Sequence, residues 1–244
     1  MAIIPSLEEM LQAGVHFGHR VSRWHPNMRP YIFGKRNGVH VIDLEKTTAC
    51  LEKALKVLTG VVERGGTVLF LGTKPQLAPY IKAAAEKCGA PYVNGRWLGG
   101  TLTNFSEIYK LIKRLRDLKR RKEVGDLRKY TKREQLEFDR EIEDLEGKIG
   151  GIAMLDDIPS VVVVFDMRNE MTAVHEANRK GVPIVAVCDT NVNPQLVSYP
   201  IPANDDAVKS IALMTNVIAD AILEGKKDVK EIKKAPVRRK VAIK

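Results

Sequence analysis

The sequence predicts an α/β fold in which a parallel sheet is covered by helices on both faces. Two observations carry that prediction. Short apolar runs rich in β-branched residues recur along the 244 residues without polar alternation, as strands buried on both faces do. Longer amphipathic segments separate them, and a right-handed crossover places such helices on the two sides of a parallel sheet.

The elements follow in order. Ser6 and Glu9 form an S-x-x-E capping box that opens a short first helix. Residues 39–43 form the first apolar run, and Leu51, Leu55, Leu58 and Val62 then make one helical stripe. A strand at 67–72, a helix at 75–88 stopped by Gly89, and a strand at 92–94 come next. After a longer interruption, a strand at 160–166 is followed by a helix at 170–180 stopped by Gly181, then strands at 184–189 and 197–201. The last helix, 205–224, starts at Asn204 and Asp205 and is expected to stop at Gly225.

The interruption consists of two helical patterns with no strand between them. Apolar residues fall at Phe105, Ile108, Ile112 and Leu115, and again at Phe138, Ile142, Leu145 and Ile149, in heptad spacing. Thr131 and Glu134 form a second capping box, and residues 124–126 supply a turn. The expectation is an inserted antiparallel coiled-coil hairpin at 103–149, dividing an α/β domain of 1–102 and 150–224. Residues 225–244 hold nine cations and two acids without a sustained apolar face, so a disordered basic tail is expected there.

Net charge is +10, and its distribution says more than its size. Residues 1–108 carry +5, 109–148 carry +4, 149–224 carry −6 and 225–244 carry +7. Within the hairpin, residues 109–133 hold 12 cations and three acids while 134–148 hold two and seven, so its helices can pair electrostatically as well as through the apolar seam. Cys50, Cys88 and Cys188 are odd in number, far apart and embedded in apolar runs, which reads as reduced buried thiols in a reducing compartment. Apolar stretches of about five residues exclude a membrane span, and no basic leader precedes Glu8 and Glu9.

Catalytic signatures are missing. No G-x-G-x-x-G follows a strand, no Walker loop or nucleophile elbow occurs, and the H-E begun at His175–Glu176 lacks a second histidine at Arg179. Asp43, Asp166 and Asp189, with Thr73 and Lys74, fall at predicted strand ends, where open α/β sheets bind ligands. Those carboxylates could hold Mg²⁺ for phosphotransfer, or could simply cap the following helices. His16, His19 and His25 lie near one another without a matching partner motif, so no metal is assigned and no cofactor is called for.

The segment 16–38, HFGHRVSRWHPNMRPYIFGKRNG, points instead to nucleic acid. Arg20, Arg23, Arg29, Lys35 and Arg36 are interleaved with Phe17, Trp24, Tyr31 and Phe33, and there is no acid. Cations pair phosphates while rings stack on bases or ribose. The alternative is that the rings pack the segment on the core and the arginines only solvate it. Pro26, Pro30 and three glycines forbid a long helix, so a fixed irregular loop is expected. Arg96 and Trp97 in NGRWLGGTLTN form a second basic-aromatic spot, and Lys74 completes the predicted phosphate-binding set. Trp24 and Trp97 are expected to stack on nucleotides or to anchor their loops. A free regulatory RNA binder remains a weaker alternative.

At these segments the chain resembles the bacterial small-subunit ribosomal protein S2 family. The resemblance is carried by AGVHFGH at 13–19, WHPNM at 24–28, YIFG at 31–34, NGVHVIDL at 37–44, GRWLGGTLTN at 95–104, DTN at 189–191, YPIP at 199–202 and NDDA at 204–207. Met167 stands where that family has Pro, and Ala203 where it usually has Gly. The resemblance implies a flavodoxin-like domain with an inserted coiled coil and no enzymatic reaction. It implies a cytoplasmic structural protein of the small subunit, between head and body, bound to rRNA and neighbouring ribosomal proteins. It also implies late entry into assembly and help in seating the largest small-subunit protein, with no membrane or small-molecule partner.

Overall fold

The computed structural model describes residues 4–234, with side chains through residue 227. A short helix, α1 (Leu7–Gln12), opens on the Ser6 and Glu9 capping box and leads into β1 (Phe17–Arg20), β2 (Ile32–Arg36) and β3 (Val39–Ile42). Helix α2 (Leu44–Glu63), β4 (Val68–Leu71), α3 (Ala78–Cys88) and β5 (Tyr92–Val93) follow. Two consecutive helices, α4 (Phe105–Glu123) and α5 (Lys132–Ile149), precede β6 (Val161–Val164), α6 (Met171–Lys180), β7 (Ile184–Cys188), β8 (Tyr199–Pro202) and α7 (Val208–Lys234).

Five strands form one parallel sheet in the order β5-β4-β6-β7-β8. Counted among themselves these strands run 2-1-3-4-5, the doubly wound flavodoxin-like order. Alternate residues serve opposite cores. Phe70, Val161, Val163, Val185 and Ile201 pack beneath α2, α3 and α7, while Leu69, Leu71, Val162, Val164 and Ala186 meet α4, α5 and α6. Pro200 and Pro202 are tolerated because β8 is an edge strand. Met167 and Ala203 are both fully buried, and the Met167 sulfur lies 3.9 Å from Cys188 Sγ.

Three expectations are corrected. The run at 39–43 is not part of the parallel sheet, because β3 lies between β1 and β2 in a separate antiparallel sheet. The segment 16–38 is not a continuous irregular loop, since β1 and β2 occupy parts of it. Asn37 (φ 50°) and Gly38 (φ 75°) make the tight turn from β2 to β3, the Asn-Gly hairpin signal embedded in GKRNGVH.

Gly225 does not end the last helix, which continues through it to Lys234. A Cβ at Gly225 would lie 3.0 Å from the Thr59 carbonyl and 3.2 Å from Val62 Cβ, so this glycine lets α7 cross close to α2. Lys226 Nζ then donates to the carbonyls of Cys88 (2.7 Å) and Gly89 (2.9 Å) and closes the C-terminus of α3. Of the tail expected to be disordered, residues 225–234 are helical, and residues 235–244 lie outside the described residues.

Candidate nucleic-acid interface

The antiparallel sheet sits against the carboxyl ends of the parallel strands. Gly18 permits the contact, because a Cβ there would fall 2.6 Å from Thr190 Cγ2 and 3.2 Å from the His40 carbonyl. The His19 amide donates to Thr190 Oγ1 (2.8 Å) and the His25 amide to the Thr190 carbonyl (2.7 Å). Asn27 Nδ2 donates to Asn193 Oδ1 (3.0 Å) and Gln195 Oε1 (3.1 Å). The N-terminal layer is thus fixed to the loop after β7 by backbone and side-chain bonds.

Arg20, Arg23, Arg29, Lys35 and Arg36 are all exposed. Arg20 and Arg36 flank Val39 from the two neighbouring strands, which puts both cations in one cross-strand row. None of the five makes an ion pair among the described residues. The rings divide. Phe17 and Phe33 are 52% and 80% exposed, whereas Tyr31 packs against the core under α4 to α6. Trp24 is half-buried, its ring 5.0 Å from that of the buried His40. A groove of about 760 Å³ runs between Leu11, Phe17, Phe33, Lys35, Arg36 and Val41. Phenylalanines, not tryptophans, are the exposed rings here, with the His16 ring 4.0 Å from that of Phe17.

Arg96 is exposed and makes no ion pair among the described residues. Its neighbour Trp97 is 9% exposed and donates from Nε1 to Glu176 Oε1 (3.1 Å). Of the two expected roles for Trp97, anchoring its loop is therefore the one its position serves, and stacking on a nucleotide is corrected. Lys74 is likewise committed within the protein, paired with Asp206 and lying 3.8 Å from Asp166.

Of the two readings of the strand-end carboxylates, Asp43 follows the capping one. Asp43 is apart from the others, accepting from the amides of Glu45 (3.1 Å) and Lys46 (3.3 Å) as the N-cap of α2. Asp166 accepts from the amide (3.1 Å) and side chain (2.7 Å) of Asn169. Glu170, buried two residues before Thr172, accepts from the Thr73 amide (2.7 Å) and hydroxyl (2.6 Å), and burial holds its carboxyl above the usual range. Asp189 pairs with His19 Nδ1 at 3.0 Å, a bond that raises the imidazole pKa. His19 Nε2 reaches Asp206 at 3.4 Å.

Asp205 is buried beside Asp189, Asp166 and Asp206, and burial followed by those charges pushes its carboxyl up to about 8. His19, Asp205 and Asp206 bring three donor atoms within 4.8 Å of one another, a set with the chemistry to hold a divalent ion. Sequence reading grouped His19 with His16 and His25 and missed this triad, in which most of the chain separates His19 from the adjacent Asp205 and Asp206.

At the strand ends, where open α/β sheets take ligands, Lys74, Asp206 and His19 are joined in ion pairs within this chain. The fold and this surface define an α/β protein of flavodoxin-like topology that exposes cations and rings on its N-terminal layer. The chain belongs to the ribosomal protein S2 family, whose sequence model, described as Ribosomal protein S2, matches residues 10–225. It is 46% identical over 230 residues to the small ribosomal subunit protein uS2 of Fusobacterium nucleatum, covering 94% of this chain and 93% of that protein. It is 47% identical over 226 residues to the protein of the same name from Acidothermus cellulolyticus, covering 92% and 82%.

Proposed function

We propose that this chain is a structural, non-enzymatic constituent of the small ribosomal subunit in the cytoplasm, binding rRNA and neighbouring ribosomal proteins in support of late assembly and translation. The observation that carries the RNA contact is the N-terminal antiparallel layer. Arg20, Arg23, Arg29, Lys35 and Arg36 are exposed on it without acidic partners, beside the open rings of Phe17 and Phe33. Arg96 extends the cationic set, and Trp24 and Trp97 support their loops from beneath. Lys74 stands as a weaker member because Asp206 and Asp166 already neutralise it.

In this reading α4 and α5 form an inserted antiparallel coiled-coil hairpin, 103–149, on a discontinuous domain of 1–102 and 150–224. Supporting it, Ile112, Leu115 and Leu118 share a core with Ile142, Leu145 and Ile149. Ion pairs join the helices at Arg114–Glu141 (2.8 Å), Lys122–Asp139 (2.8 Å) and Lys119–Glu146. The hairpin's charges are thereby largely spent within it, and it meets ribosomal neighbours more through shape than through free cations. The basic C-terminus, 225–244, adds unspecific attraction to RNA.

Sedimentation of the native protein through a sucrose gradient tests the assignment. Co-migration with the small subunit, released progressively by added salt, is the expected result. Migration as a free protein at low salt would overturn it.

A further inference from the structure

The H-E pair at 175–176, unusable as a zinc motif, has another role in the structure. Glu176 lies on α6, is 7% exposed, and accepts five hydrogen bonds. Its Oε1 accepts from Trp97 Nε1 (3.1 Å) and the Gly100 amide (2.8 Å). Its Oε2 accepts from the amides of Leu102 (3.0 Å) and Thr103 (3.1 Å) and from the Thr103 hydroxyl (3.1 Å). All five donors come from the seven residues 97–103.

That segment has no strand or helix of its own and begins WLGG, a composition that specifies little by itself. A backbone that must point three amides inward needs an acceptor to point at, and a buried carboxylate with four lone-pair directions supplies it. Burial alone would raise the Glu176 pKa; the Thr103, Gly100 and Leu102 amides and the Trp97 indole more than reverse this, so the group is held below the usual range and stays charged. On the outer side of the same turn stand Arg96, exposed and without an ion pair among the described residues, and Gly99, beside which a Cβ would meet nothing within 4 Å.

We propose that Glu176 is the positioning residue for the RNA contact made by Arg96: the carboxylate moulds residues 97–103 from within and so fixes where the guanidinium meets a phosphate. This rests on the reading of Arg96 given under Proposed function. Fixing the loop beforehand spares the complex the entropy of ordering it on binding. The isosteric amide cannot substitute, since a Gln side chain would turn an NH₂ donor toward two or three donors that need an acceptor.

The test is a double-mutant cycle on the full-length chain, rebinding to small subunits stripped of this protein. Arg96→Ala and Glu176→Gln are each expected to weaken binding about 5-fold, near the size of one phosphate contact, and the double variant no more than either alone. A second Arg96→Ala penalty of the same size in the Glu176→Gln background would overturn the proposal, because Arg96 would then act without the carboxylate. Loss of amide-exchange protection at Gly100, Leu102 and Thr103 in Glu176→Gln is expected alongside, but a purely structural role would give that without the coupling. Should Glu176→Gln fail to fold, Trp97→Phe removes one of the five bonds and keeps the ring, and the same cycle is run with it. If Arg96→Ala alone binds like the natural protein, the RNA reading of Arg96 fails first and the positioning role falls with it, an outcome distinct from undiminished additivity.

Discussion

The two basic-aromatic segments of this chain, 16–38 and 95–104, carry the same sequence signal and resolve it in opposite ways. In the first, Arg20, Lys35, Arg36 and two phenylalanine rings are exposed on strands of a three-stranded antiparallel sheet, and Arg23 and Arg29 are exposed on the helical turns between β1 and β2. In the second, the ring turns inward to Glu176 and a single arginine remains outside. The difference lies beneath the segments. The first rests on its own backbone ladder, so its side chains are free for a partner; the second has no ladder, and its side chains and amides are used to make the loop.

The largest effect that would break this contrast is in stability. Glu176→Ala leaves five donors without their acceptor and is expected to lower unfolding free energy by about 3–5 kcal/mol in urea titrations. Replacing Arg20, Arg23 and Arg29 together with alanine should change it by less than about 0.5 kcal/mol, as exposed unpaired positions do. Comparable losses in both variants would erase the distinction between a side-chain-built and a backbone-built surface.

Binding should respond the other way. The triple arginine variant is expected to lose about 10- to 100-fold in small-subunit affinity, and its plot of log affinity against log salt should flatten by about 2 to 3 units of slope. An unchanged slope would mean that the three side chains only solvate the sheet. Phe33→Ala, at a ring 80% exposed, sharpens the comparison further. Stability should hold, while affinity falls by about 1 kcal/mol if a base stacks on that ring.

The smallest expected effect is on pH dependence. Glu176 is held below its ordinary pKa by the hydrogen bonds it accepts. Its stabilisation is therefore complete above the unfolded carboxyl pKa and is lost as pH falls through the lower, folded value. The stability gap between the natural protein and Glu176→Gln should narrow as urea titrations are carried from neutral to strongly acidic pH. A gap that widens on acidification would show that the carboxylate is not the acceptor that the loop needs.

Much of this architecture was legible in the sequence because its signals are local. Ser6–Glu9 and Thr131–Glu134 cap their helices as the spacing predicts. Gly89 and Gly181 close α3 and α6 in the left-handed conformation. Val161–Val164 is buried on both faces, as an unbroken apolar run implies. The failures share one cause, which is that a tertiary contact set the outcome. Gly225 looks like a stop but is a crossing point with α2. Asp43 looks like Asp166 and Asp189 but ends a strand of another sheet. Trp97 looks like a partner for RNA until Glu176, 79 residues away, is brought beneath it. Which rings of the candidate segment 16–38 face outward depended on a hairpin that the Asn37–Gly38 turn could have announced.

The docking of the first layer on Thr190 also sets a timetable for synthesis. Strand β4 finds its central partner only when Val161 to Val164 have been made, and the amides of His19 and His25 wait for Thr190. The Val15 carbonyl waits longer still, for the amide of Asn204. Contacts so distant in sequence form late and slowly. The ladder of the basic layer closes within residues 16–43, but its seat on Thr190 and Asn204 is made only when most of the chain exists, so a product truncated before them carries that cationic surface undocked.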